Sequence, residues 1–168
     1  YMNSFTGGEE GKPFRFSNRA TTMLTHRQRA MHDAILTTAA TYINDRPSLT
    51  TREYDGPSPR RFIVDRNGLL QQAPEGFETL SFSDISSTFE YIYAQGVTSL
   101  LIEAGPRYLQ AVIDSGLWDK ARVEISPEIL GSGGIAPAPS LPNSAILIDD
   151  RKIGHNRLMI YTNGIYLI

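Results

Sequence analysis

Residues 100–107 read Leu100-Leu101-Ile102-Glu103-Ala104-Gly105-Pro106-Arg107 and join an apolar strand to a helix through a Gly-Pro step. Glycine lets another backbone or a ligand come close. Proline fits the first helical position because a backbone N–H there would have no partner within the helix. The amides of that first turn, reinforced by the helix dipole, form a natural phosphate site. Ligands of open α/β sheets bind beyond the carboxyl ends of strands, where Glu103 is expected. The same spacing also fits a tight connection that binds nothing.

Strands and helices alternate on both sides of this junction. Short apolar runs, bounded by turn residues, predict strands over residues 33–38, 61–65, 79–82, 99–102 and 121–126. Helices are predicted between residues 19 and 33, over 39–44, from an N-cap at Ser83 to Gly96, and from Gly105 to Gly116. In the first of these helices we expect Met23, Leu24 and Ala30 to form an apolar side.

The C-terminal third is rich in strands instead. Residues 145–149 and 158–162 lie on either side of Gly154 and are expected to pair as a hairpin. The pattern therefore predicts an α/β fold with a mostly parallel central sheet, with antiparallel C-terminal strands added at one edge. We find no internal repeat and no linker, so residues 1–168 are interpreted as a single domain.

Composition excludes several classes of function. The chain has 168 residues and a net charge of −2, so it has no basic excess for a nucleic-acid surface. It has no cysteine, which removes disulfides and thiol catalysis and is consistent with the cytoplasm. No apolar run approaches the ~20 residues that span a bilayer. His26, His32 and His155 lack the spacing of metal ligands and are interpreted as surface or helix-end residues, so no metal site is expected.

A second candidate site lies between Arg29 and Arg52. One arginine on a helix and another past the following strand could converge on a phosphate, which guanidinium groups bind through two hydrogen bonds. Thr41, Asp45 and Leu49 lie between them. The alternative is that the arginines are solvated or paired with Glu53 and Asp55, and that Asp45 only caps the turn before Pro47.

Taken together, these segments resemble the reductase half of the bifunctional deaminase–reductase of riboflavin synthesis, a family with a dihydrofolate-reductase-like three-layer fold. The resemblance covers residues 11–66 and 97–162 and depends on the order and spacing of several motifs. The matching segments are residues 29–38, the D-x-P-x-L-T-x-R-like element within residues 44–52, the strand 62–65, residues 101–106, Leu117-Trp118-Asp119 and Ile129-Leu130-Gly131.

The resemblance implies a reduction in which NADPH delivers hydride to the ribose carbon of 5-amino-6-(5-phosphoribosylamino)uracil, opening the sugar to a ribitylamino chain. It implies substrate binding by Arg29, Leu49, Arg52 and Glu103, with the two arginines on the phosphate and Glu103 on the ribose. It implies NADPH binding by Thr41, Asp45, Gly105, Pro106, Arg107, Tyr108, Leu109, Gln110 and Ala111. Glu103 and Asp45 are the best candidates for a catalytic group. A homodimer is expected on the same ground.

The sequence also departs from the family's pattern. It lacks the H-x-E and P-C-x-x-C zinc motifs, so we expect no deaminase activity from this chain. The family's first strand would precede Tyr1, Pro13 replaces a ligand-binding serine, Arg15 replaces an aromatic residue, and residues 67–80 are shorter than usual. We therefore expect pieces of a longer protein to be missing, which an intact mass well above 18.7 kDa would support.

Two other interpretations remain open. One is a reductase of the same fold with another substrate, such as a pterin, although Arg29 and Arg52 favour a phosphorylated substrate. The other is a non-catalytic fragment that does not hold the cofactor.

Overall fold

The computed structural model describes residues 16–128 and 137–164. Its elements are α1 (Arg19–Ala30), β1 (Ala34–Thr38), α2 (Ala39–Asp45), β2 (Arg60–Val64), β3 (Phe77–Leu80), α3 (Ile85–Ala94), β4 (Leu100–Ile102), α4 (Pro106–Asp114), β5 (Lys120–Ile125), β6 (Ile146–Ile153) and β7 (Asn156–Thr162). The predicted strands are all present, with ends that differ slightly from the expected ones.

The central sheet has four parallel strands in the order β3-β2-β1-β4. Leu36 in the middle of β1 lies opposite Phe62 on one side and Ile102 on the other. The side chains of Leu36 and Phe62 are fully buried and pack with Ile92 of α3. Burying each large apolar side chain contributes about 1.5–3 kcal/mol, so this apolar layer holds α3 on the sheet. The predicted α/β fold with a parallel central sheet is confirmed.

The C-terminal strands form an antiparallel sheet in the order β5-β7-β6, and β6 and β7 pair as the expected hairpin around Gly154. The prediction that these strands extend one edge of the parallel sheet is wrong in the described parts of the chain. There, β5 pairs only with β7, and no strand ladder joins it to β4. The hairpin is attached to α1 instead, because the Asn18 side-chain amide donates to the carbonyl of Ile153 at 2.8 Å.

The buried face of α1 differs from the expected one. Met23 is 47% exposed, and the helix buries Thr21, Thr25 and His26. A polar face can be buried when its groups are hydrogen-bonded. Here the Arg122 guanidinium of β5 donates to the Thr25 hydroxyl at 2.8 Å and to the carbonyl of Thr21 at 3.3 Å. The expectation that His26 is a surface or helix-end residue is therefore wrong.

The start of α3 also needs a correction. The N-cap is Asp84 rather than Ser83, because the Asp84 carboxylate accepts a hydrogen bond from the backbone N–H of Ser87 at 2.8 Å. The expected end is confirmed: Gly96 has φ +79°, a left-handed conformation that glycine adopts without strain.

Some expectations lie outside the described residues, among them those for residues 129–136 and for Pro13 and Arg15. Within the described ranges, no helix combines the length and apolar character needed to cross a membrane.

Candidate functional site

Glu103 stands at the carboxyl edge of the parallel sheet, directly after β4. Its backbone N–H donates to the carbonyl of Leu36 at 3.0 Å, which extends the pairing of β4 with β1 by one residue. The glutamate is therefore held by the sheet itself rather than by a loop. Its position agrees with the rule that ligands of open α/β sheets bind beyond the carboxyl ends of the strands.

Arg29 and Glu103 form a close ion pair across 74 residues of sequence. The Arg29 Nε donates to Glu103 Oε1 at 2.8 Å, and Nη2 donates to Oε2 at 2.7 Å. Both side chains are mostly buried, with 11% and 12% exposure. A third nitrogen, Nη1, donates to the carbonyl of Thr50 at 3.0 Å. Arg29 thus joins α1, the end of β4 and the loop after α2.

The loop between α2 and β2 carries Leu49 and Arg52. Leu49 is 2% exposed and has φ 51°, a left-handed conformation that is uncommon for a leucine and indicates local strain. Arg52 is exposed, and its guanidinium donates to the Ser48 hydroxyl. Residues 50–56 line an open cleft with Ser58. Arg52 is thus the more accessible of the two arginines that we assigned to phosphate.

The start of α4 is linked to α2 through Thr41. The Thr41 hydroxyl accepts a hydrogen bond from the backbone N–H of Gly105 at 3.0 Å and lies 2.9 Å from the hydroxyl of Thr38, the N-cap of α2. Gly105 is the N-cap of α4 and has no side chain to satisfy the first-turn amides, and Pro106 follows at the first helical position. Two segments predicted to hold the cofactor are therefore in contact.

The other residues predicted at the cofactor site differ in their surroundings. Arg107 is exposed on the first turn of α4. The ring of Tyr108 packs against the core, and burial raises the pKa of its hydroxyl to about 12. The Gln110 side chain binds Ser140 through two hydrogen bonds, of 2.8 and 3.3 Å. Leu109 is half-buried and Ala111 is exposed, so Arg107 is the exposed charged side chain of residues 105–111.

Asp45 is the last residue of α2 and lies four residues after Thr41, on the same face of the helix. Asp45 is an exposed residue, and partial desolvation raises the pKa of its carboxyl above the ordinary value. Such a shift favours the protonated form relative to a solvated aspartate, which is a property of candidate acid groups.

His26 belongs to the same region and was missed by the sequence interpretation. It is 3% exposed, and its Nδ1 accepts a hydrogen bond from the backbone N–H of Glu53 at 3.3 Å. Burial is the largest cause of a lowered pKa, and the charges of Arg29 and Arg52 lower it further. One signal was available: His26 precedes Arg29 by three residues, so the two share a helix face.

Among the described residues, histidines and carboxylates form no cluster of three or more that could hold a metal ion. What the region offers is a buried ion pair and the start of a helix at the carboxyl edge of the parallel sheet, with an accessible arginine on the loop that Arg29 contacts. Such a set can bind an anionic ligand and orient hydroxyl groups.

Known proteins resemble this chain in sequence. The chain is 27% identical over 154 residues to the riboflavin biosynthesis protein RibD of Corynebacterium ammoniagenes, an alignment covering 85% of this chain and 45% of that protein. This chain therefore spans about half the length of the curated relatives it matches.

Solved structures share the fold. A deaminase/5-amino-6-(5-phosphoribosylamino)uracil reductase from Thermotoga maritima superposes with a TM-score of 0.75 and 20% identity over 91% of this chain and 51% of that one. The riboflavin biosynthesis reductase of Saccharomyces cerevisiae gives a TM-score of 0.67 and 17% identity over 96% of this chain and 84% of that one. A profile of the RibD C-terminal domain matches residues 4–155. The chain therefore belongs to the RibD C-terminal domain family.

Proposed function

We propose that this chain is an NADPH-dependent reductase of riboflavin biosynthesis, acting on 5-amino-6-(5-phosphoribosylamino)uracil. The observation that carries the proposal is the meeting of Arg29, Glu103 and the start of α4 at the carboxyl edge of a parallel sheet, in a chain of this family. We further propose that residues 1–168 act as one domain without deaminase activity, in the cytoplasm and as a homodimer.

The phosphate of the substrate would be bound by Arg52 and Arg29. Arg52 is exposed on the open cleft and carries the accessible positive charge. Arg29 uses three of its five N–H donors on Glu103 and Thr50, so two remain for a ligand. Leu49, which is buried and has a left-handed backbone conformation, would line the substrate site from the loop that carries Arg52.

Glu103 would accept hydrogen bonds from the ribose hydroxyls. Its carboxylate is held on both oxygens by Arg29, so its orientation is set before a substrate arrives. Such preorganisation contributes to rate because a correctly placed substrate needs little further ordering. Glu103 and Asp45 remain the candidates for a group that handles a proton, Asp45 because its carboxyl has a raised pKa.

One structural feature fits NADPH: the N-cap of α4 is Gly105, so no N-cap side chain occupies the start of this helix. Residues 105–111 would lie along the cofactor, and Arg107 would bind the pyrophosphate through its side chain and its backbone N–H. The N–H groups of Gly105, Tyr108 and Leu109 already donate within the protein, and Pro106 has none. Thr41 and Asp45 would contact the cofactor from α2. When bound, NADPH supplies hydride to the ribose carbon that bears the amino group.

Two measurements test this proposal. Titration of NADPH fluorescence with protein should show saturable binding, and loss of NADPH absorbance should depend on the phosphorylated pyrimidine. Binding without turnover of that substrate would favour a reductase of another substrate, such as a pterin. Absence of NADPH binding would favour a non-catalytic fragment, and either result would overturn the proposed function.

A further inference from the structure

His26 contacts the loop that carries Arg52 from inside the protein. It is 3% exposed, and its Nδ1 lies 3.3 Å from the backbone nitrogen of Glu53, the residue after Arg52. A backbone N–H can only donate, so Nδ1 accepts and carries no proton. The imidazole is therefore neutral, with its proton on Nε2.

A second hydrogen bond ties the same loop to α1 on the other side of Arg52. The Arg29 guanidinium donates to the carbonyl of Thr50 at 3.0 Å, two residues before Arg52. Two side chains on one face of α1 thus hold the backbone at Thr50 and at Glu53.

The loop also lies directly against α1. A Cβ placed on Gly56 would be 2.8 Å from the Cβ of Ala30, so the loop backbone approaches the helix as closely as a residue without a side chain allows. The loop is also bonded to β2, where Arg61 donates to the carbonyl of Ser48 at 3.1 Å, and it has internal hydrogen bonds such as that from the Thr51 hydroxyl to the carbonyl of Gly56 at 2.8 Å. The loop therefore has internal order, and its hydrogen bonds to α1 come from His26 and Arg29.

We propose that His26 is a positioning residue: together with Arg29 it fixes the backbone on both sides of Arg52 and so directs the Arg52 guanidinium toward the phosphate of the substrate. This role rests on the proposed function, because that function assigns Arg52 to the phosphate. The neutral imidazole is required, since a proton on Nδ1 would place two donors against each other.

The charged groups around His26 come from three segments: Arg29 on α1, Arg52 and Glu53 on the loop, and Glu103 after β4. Burial lowers the pKa of His26 most, the two arginines lower it further, and the two glutamates oppose them. His26 therefore stays neutral near pH 7, and the contact with Glu53 is lost only as the pH falls below 6.5. Binding of the phosphorylated substrate should weaken in that range.

The test compares His26→Leu, which removes the acceptor, with His26→Asn, which keeps an acceptor close to the position of Nδ1 and does not titrate. His26→Leu should raise KM for the phosphorylated substrate by about 5- to 10-fold, the loss expected for one hydrogen bond, with kcat and KM for NADPH within about 2-fold of wild type. His26→Asn should restore KM and flatten its pH dependence below pH 6.5 relative to wild type. His155→Leu, at an exposed turn, is the control and should change nothing.

Limited proteolysis does not depend on enzymatic activity and therefore separates this role from the proposed function. Trypsin cleaves after Arg52, and the fragment ending there should appear several-fold faster in His26→Leu than in wild type and His26→Asn. Equal cleavage rates in all three, equal losses in both variants, or equal rises of KM for substrate and NADPH would each overturn the positioning role. An inactive wild-type chain would overturn the proposed function, while faster cleavage of His26→Leu would still support the contact.

Discussion

At the scale of single residues, the ion pair of Arg29 with Glu103 is the most constrained contact of the candidate site. Glu103→Gln keeps one acceptor oxygen but leaves the mostly buried charge of Arg29 unbalanced. We expect turnover to fall at least about 10-fold and the free energy of unfolding to fall by about 1–3 kcal/mol. The rate at saturating substrate measures turnover, and urea unfolding measures the free energy of unfolding.

The control for this variant is Glu78→Gln. The Arg60–Glu78 pair is separated by 3.4 Å and is 48% and 40% exposed, so its loss should cost less than about 1 kcal/mol and leave turnover unchanged. Unchanged turnover in Glu103→Gln would remove Glu103 from the site.

Arg52→Ala tests the assignment of phosphate to the exposed arginine. Arg52 is exposed and donates to Ser48 of its own loop, so its removal should leave the fold intact and raise KM for the phosphorylated substrate about 10- to 100-fold, the range for a charge-assisted contact. KM for NADPH should change less than about 3-fold. Arg66→Ala, which removes an exposed arginine outside the cleft, is the control. Equal losses of both ligands in Arg52→Ala would contradict the assignment.

At the scale of elements, Thr41 couples α2 to the start of α4. Thr41→Val removes the hydroxyl that accepts from Gly105, so the proposed cofactor site loses both a polar group and the contact between the two helices. We expect Kd for NADPH to rise about 5- to 10-fold. Thr41→Ser keeps the hydroxyl and should bind like wild type in the same fluorescence titration. If the valine and serine variants behave alike, the hydroxyl has no role.

Asp33 joins the starts of β1 and β4. Its carboxylate accepts from Thr98 and Ser99 at 2.8–2.9 Å, and these hydrogen bonds lower its pKa from 3.8 to about 2. Since the pKa is lower in the folded than in the unfolded protein, this contribution to stability is present above about pH 4 and is lost as the pH falls toward 2.

Asp33→Asn does not titrate and should therefore remove that dependence. Urea unfolding of wild type and Asp33→Asn at several pH values should give a stability difference that shrinks between pH 4 and pH 2. A difference that stays constant over this range would contradict the role of the carboxylate. Asp55→Asn, at an exposed loop position, serves as the control.

At the scale of the whole molecule, the proposed homodimer requires an exposed apolar surface that a second copy of the chain can bury. Among residues 16–128 and 137–164, β6 is an edge strand of its sheet, and it exposes Ile146, Leu147 and Ile148 by 44%, 44% and 52%. Exposed apolar residues on an edge strand favour association. Ile148→Lys should therefore shift the chain toward monomer in sedimentation equilibrium. Tyr93→Lys, at a 72% exposed position on α3, should not. A wild-type chain that is monomeric at all concentrations tested would contradict the dimer.

The parts of the fold that were predicted correctly depend on local patterns. The apolar runs of β1, β2 and β4, the Gly-Pro step before α4 and the glycine after α3 each specify structure within a few residues. The errors concern partners distant in sequence. The buried face of α1 was assigned wrongly because its polar residues are satisfied by Arg122, 97 residues away from Thr25.

The same distinction applies to the candidate site. Its residues were named from motifs, and Arg29, Glu103, Thr41 and Gly105 do lie at one edge of the sheet. Their contacts were not predicted, because a motif gives residue types and spacing but not which side chain faces which.

By itself, the amino-acid sequence determined the order of helices and strands, the parallel sheet and the residues at its carboxyl edge, since periodicity and turn chemistry act over short stretches. Only the tertiary structure decided that Arg29 pairs with Glu103, that His26 is buried against Glu53 and that the C-terminal hairpin forms a separate sheet. Each of these depends on hydrogen bonds between segments that meet only when the chain packs, and their free energy depends on burial.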